Sequence, residues 1–87
     1  MLLSRVTMRP SPSVPAAVSP ASLVDLIWLN IEQSDGIEHI HARAAGPVIE
    51  VVFFTVASEQ SISDHIAICL CERATQKVPA LRGWLSE

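Results

Sequence analysis

The run Val48-Ile49-Glu50-Val51-Val52-Phe53-Phe54-Thr55-Val56-Ala57 constrains this chain more than any other stretch. Eight of its ten residues are apolar, and five are Val or Ile. β-Branched and aromatic side chains fit a pleated, packed surface, whereas a strand with one wet face alternates with polar residues. The run therefore predicts a strand shielded on both faces. Only Glu50 and Thr55 interrupt it, and their spacing sends them to opposite faces. A chain of 87 residues builds about one domain with one small sheet, so this strand belongs in its middle.

Its neighbours follow from local pattern. Ile37–Ala44 predicts a half-polar strand, with Ile37, His39, His41 and Arg43 on one face and Glu38, Ile40, Ala42 and Ala44 on the other. Ala45-Gly46-Pro47 is a short turn, so the two strands form a hairpin. A first helix opens at Ser19-Pro20 or at Ser22, and its body Leu23–Gln33 carries an apolar arc of Leu23, Val24, Leu26, Ile27, Trp28 and Ile31. Leu29 falls outside that arc, and Ser34-Asp35-Gly36 supplies the stop. The second helix follows Ser58–Asp64, where Ser61 and Asp64 have capping-box spacing, and ends before Pro79. Ile62, Ile66, Ala67, Leu70 and Ala74 form its inward stripe, while Ile68 stands among Asp64, His65, Glu72, Thr75 and Gln76 on the wet side. Leu81 and Trp84 anchor the close, as a short third strand or a helical turn; cover for a sheet edge favours the strand.

The expected fold class is thus α+β, a helix–β-hairpin–helix domain whose antiparallel sheet packs against two helices. Residues 20–87 make up that domain. Residues 1–19 contain Pro10, Pro12 and Pro15 among Ser, Ala and Val, a composition that predicts a flexible, extended N-terminal arm rather than a paired strand.

Charge and cysteines narrow the partners. Arg5 and Arg9 have no acidic neighbour, but beyond them four Lys or Arg face nine Asp or Glu. Phosphate backbones require a basic surface, so no nucleic-acid partner is expected. No apolar run approaches the roughly 20 residues of a membrane span, and the N-terminus lacks a continuous apolar h-region. Cys69 and Cys71, one residue apart on a helix, point away from each other and cannot bridge, which fits a reducing, cytoplasmic setting.

Few residues carry chemistry. His39 and His41 project the same way from a strand and could chelate a borderline metal, given further ligands. Cys69 and His65 have i, i+4 spacing without an orienting third group, and Glu38 and Glu50 share a hairpin in unknown register. The three glycines form no phosphate-cradling loop. Neither enzymatic activity nor a cofactor is expected.

Association fits better. At 49% apolar and 17% charged residues, the chain holds more apolar surface than so small a domain hides easily. Two helices cover about one sheet face, leaving Val51 and Phe53, or else Val52 and Phe54, for a partner. Trp28, Leu29, Val51, Phe53, Phe54, Ile68 and Trp84 are the candidate contacts. The reading is a self-associating or adaptor domain, a homodimer or the partner of another protein; the alternative is a small-ligand or metal-binding regulatory module using His39 and His41.

Overall fold

The computed structural model describes residues 1–11 and 18–87. The chain runs β1 (Leu2–Arg9), α1 (Pro20–Trp28), β2 (Ile37–Ala45), β3 (Val48–Thr55), α2 (Gln60–Lys77) and β4 (Leu85–Ser86), with 3-10 turns at Gln33–Asp35 and Pro79–Leu81. The strands form one sheet in the order β2-β3-β1-β4, each pair antiparallel. Both helices pack on the same side of it, α2 over β1 and α1 over β2. The α+β class, the hairpin and the interior place of β3 agree with the sequence; a short C-terminal strand is present too, but it is Leu85–Ser86 beside β1, while Leu81 lies in the 3-10 turn and Trp84 between the two.

Residues 2–9 do not. Instead of an arm, they form a strand paired with β3 from Leu2↔Thr55 to Met8↔Ile49. The prolines do not prevent this, because Pro10 stands just past the ladder; Pro12 and Pro15 lie outside the described residues. β1 alternates cleanly. Ser4, Val6 and Met8 are buried beneath the helices, while Leu3, Arg5 and Arg9 are exposed on the opposite face. Thr7 exchanges both backbone hydrogen bonds with Glu87 (3.1 and 2.9 Å), so Ser4, Val6 and Met8 direct their backbone groups toward β3.

The hairpin closes through Gly46-Pro47 between the paired Ala45 and Val48. Gly46 has φ +63°, the left-handed value that the first position of a tight hairpin turn demands, and proline holds the second. A bulge between Ile37 and His39 turns Ile37 inward beside Thr55, so Ile37 does not share the face of His39, His41 and Arg43.

Helix α1 starts as expected, with Pro20 at its first position and the Ser22 amide donating to Ser19 Oγ (3.1 Å). It ends at Trp28, earlier than the apolar pattern suggested. Asn30 stops it, its side-chain amide donating to the Leu26 carbonyl (3.1 Å) in competition with helical continuation. Arg73 then clamps the exit by donating to Asn30 O (2.9 Å) and to Asp35 Oδ2 (3.1 Å).

Helix α2 buries Ser63, Ala67, Leu70, Cys71 and Ala74, a stripe at i, i+4, i+7, i+8 and i+11. Ile62, expected inside, is 48% exposed; Ser63 takes the inward position. The Ser61–Asp64 capping box does not form, since the helix begins at Gln60 and Asp64 is engaged elsewhere. Thr55 Oγ1 donates to Ser63 Oγ (2.8 Å), and Ser4 Oγ donates to Asp64 Oδ1 (2.7 Å). Each hydroxyl has one proton, so across the 2.5 Å Ser63–Ser4 contact Ser63 must be the donor. The resulting chain Thr55→Ser63→Ser4→Asp64 ties β3, α2 and β1 together, and every buried side-chain polar atom among the described residues has a partner.

Two outcomes test this packing. Leu70→Ala, at a position 1% exposed, should cost about 2–5 kcal/mol in chemical denaturation. Wild-type-like stability would mean that α2 presents another face. Arg73→Met tests the clamp through pH. Desolvation pushes the Asp35 carboxyl up, but the Glu32 amide and the Arg73 guanidinium outweigh it and hold its pKa below the ordinary value. A pKa lower in the folded chain gives stability that is complete above the unfolded value of about 4 and is lost as pH falls through the folded one. The melting-temperature gap between wild type and Arg73→Met should therefore be wide at pH 6 and shrink steadily as pH falls below about 4.

Candidate functional site

With both helices on one side, the other side of the sheet carries no element of the described chain. Alternation decides what stands there. On β3 the residues Ile49, Val51, Phe53 and Thr55 are buried, whereas Val48, Glu50, Val52 and Phe54 face outward and are half-buried by their neighbours. Cross-strand register arranges the open face in rows: Leu3, Phe54 and His39; Arg5, Val52 and His41; Thr7, Glu50 and Arg43; and then Arg9 beside Leu85. Leu3 and Leu85 are 54% and 60% exposed.

Charge on this face is one-sided. Arg43 donates twice to Glu50 Oε2 (3.0 and 2.8 Å). That bond, opposed by desolvation and helped by the fields of Arg43 and Arg5, holds the Glu50 carboxyl below its ordinary pKa. No carboxylate among the described residues pairs with Arg5 or Arg9. His39 and His41 extend the same side, His39 meeting the Phe54 ring edge-on at 5.3 Å between centroids. The face is a short apolar strip, Leu3–Phe54–Val52, flanked by three guanidinium groups, the Arg43-paired Glu50 and, opposite Thr7, Glu87.

The sequence-derived candidates divide accordingly. Phe54 lies on the open face. Val51 and Phe53, fully buried under the helices, and Trp84, 5% exposed, are core residues that no partner reaches in the folded chain. Trp28 (40% exposed) and Leu29 (79% exposed) form a separate apolar spot at the end of α1. Ile68 is half-buried against the core and lines a groove with Arg5, Ser61, Asp64, His65 and Glu87. Leu3, Arg5, Arg9 and Leu85 were not anticipated, although the alternation of Leu3, Arg5, Thr7 and Arg9 with Ser4, Val6 and Met8 marked a one-sided strand.

The chemical candidates are placed as well. His65 Nε2 stands 3.5 Å from Cys69 Sγ on the exposed side of α2. Cys71 is buried, and desolvation, with Glu72 nearby, pushes its thiol up to about 12, which makes it inert at neutral pH. Glu38 and Glu50 do not pair, since Glu50 stands opposite Arg43. The Asp64 carboxyl is held low by the hydrogen bonds from Ser4 and Gln60, against some desolvation. Among the described residues no three His, Cys, Asp or Glu side chains are grouped to hold a metal ion, and no described helix is long and apolar enough to cross a membrane.

The chain matches no protein-family model, no curated protein and no solved structure.

The His39–His41 pair is expected to act as two surface residues. Added zinc should leave the melting temperature unchanged, and the double change of both to Ala should be nearly neutral. A zinc-dependent rise that disappears in the double variant would contradict this, since a ligand bound only by the folded state must raise its stability.

Proposed function

We propose that this chain is a non-catalytic protein-interaction domain, an adaptor or accessory subunit, that works through the open face of its sheet. The observation that supports it most is the pairing of an apolar strip with a lack of cover from the described residues. β3 has the composition of a strand buried on both faces, yet only its inner face meets helices. An uncovered apolar strip with a polar rim is the anatomy of a binding surface. The hydroxyl groups of Thr55, Ser63 and Ser4 are committed to one another and to Asp64, and Cys71 is held as a thiol, so these groups support structure rather than turnover. The free thiols Cys69 and Cys71 fit a reducing compartment such as the cytoplasm.

The reading predicts that the face is dispensable for folding but not for binding. The folded chain should take up a neutral apolar dye such as Nile red. Val52→Asp, placed mid-strand on the open side, should remove most of that uptake and change the melting temperature little. Loss of folding in Val52→Asp, or unchanged dye uptake, would contradict the proposal.

A further inference from the structure

We infer that the partner of the open face is an acidic amphipathic helix of another protein, laid across the strands. This rests on the open face being the binding surface, and what it adds is the occupant. The first argument is charge. Arg5, Arg9 and Arg43 stand on this face with two carboxylates, Glu50 and, opposite Thr7, Glu87, in a chain whose nine acidic residues outnumber its six basic ones. The basic and acidic residues are therefore segregated. Glu50 is already paired with Arg43, and Arg5 and Arg9 make no ion pair among the described residues, so two guanidinium groups stand beside one unpaired carboxylate, Glu87, and can take charge brought by a partner.

The second argument is what charge excludes. A second copy packed sheet to sheet about a twofold axis would bring the three arginines of each copy into one interface. Two unpaired guanidinium groups per copy would then lose water with only one unpaired carboxylate per copy, Glu87, to meet them. An acidic surface supplies that counter-charge and steers the approach.

The third argument concerns shape. Three strands at about 4.8 Å spacing, with β4 added only beside Thr7–Arg9, make a platform roughly 10–15 Å wide, enough for one helix of about 10 Å diameter. The inner face of the same sheet is already covered this way, and helix on sheet is one of the few stable layer arrangements. Extended peptides add to sheet edges rather than faces. A single-stranded nucleic acid would need exposed aromatic rings for its bases to stack on. Among the described residues Phe54 is the only aromatic ring of Phe or Trp on this face; it is half-buried and already met by His39, while Trp84 is in the core and Trp28 lies on α1.

The experiment uses the full chain and synthetic probes, read by fluorescence anisotropy. One peptide of about 18 residues, five helical turns, carries a Leu stripe at i, i+3, i+4 and i+7 flanked by Glu. A second carries the same stripe flanked by Lys, and a third probe is an oligothymidylate of similar length. The Glu peptide should bind in the range of about 1–100 µM, weaken as salt rises, and bind at least about tenfold more tightly than the Lys peptide. Arg5→Glu combined with Arg9→Glu, both exposed, should reverse that preference while leaving the melting temperature near wild type. Absence of Glu-peptide binding at about 100 µM, equal binding of the two peptides, or tighter binding of oligothymidylate would overturn the inference. So would a concentration-dependent dimer in light scattering that Val52→Asp dissociates, and that result would leave the open face standing as a binding surface. Glu-peptide binding untouched by Val52→Asp would overturn both the inference and the assignment of the face.

Discussion

The pairing of β1 with β3 decides the rest of the molecule. It joins the first residues of the chain to its most apolar strand, from Leu2↔Thr55 to Met8↔Ile49, and thereby puts β3 in the interior of the sheet. Without it the hairpin would be a two-stranded ribbon, which is marginal in water. With it, Val6 and Met8 join Val51 and Phe53 in a floor broad enough for α2 to bury Ala67, Leu70, Cys71 and Ala74. The Thr55–Ser63–Ser4–Asp64 hydroxyl chain then fixes how α2 lies over the two strands. The cost is a second floor, on the other side, that two helices on one side cannot cover.

That division has an electrical counterpart. The alternation that buries Ser4, Val6 and Met8 presents Arg5 and Arg9 outward, beside Arg43. In the sequence Arg5 and Arg9 belong to an isolated stretch, and the remainder of the chain is acidic. Folding brings them onto the face of β3 and separates them from most carboxylates. A net charge of −3 therefore hides a basic face. The expectation that nucleic acid is excluded rested on the acidic balance of the globular part. The scarcity of exposed aromatic rings on the face is a better reason to favour a protein partner.

Strong periodicity was legible and exceptions were not. Helix α2 could be placed from its apolar spacing, but the exchange of Ile62 for Ser63 at the inward position could not. It depends on a hydroxyl partner from β1, a strand hidden behind the proline-rich composition of its neighbours. Prolines at 10, 12 and 15 bias a reading of the whole stretch, although they act only on their own and the preceding positions. Helix α1 ended early because Asn30 turns its side chain back on the Leu26 carbonyl, a local signal outweighed by the apolar pattern, and because Arg73 clamps the exit from 43 residues away, which no local window contains. For the surface, the deficit of cover for β3 was legible from composition alone. Which side stays open was not, because Val51/Phe53 and Val52/Phe54 are equivalent until the register of β1 and α2 is known.

Amide hydrogen exchange by NMR tests the β1–β3 pairing most directly. The amides of Ser4, Val6 and Met8 point to β3, opposite Phe53, Val51 and Ile49. If β1 is an integral strand, these six amides exchange together, at rates set by unfolding of the whole domain. Exchange of Ser4, Val6 and Met8 at the rates of unstructured chain, with the β2–β3 hairpin still protected, would contradict the account.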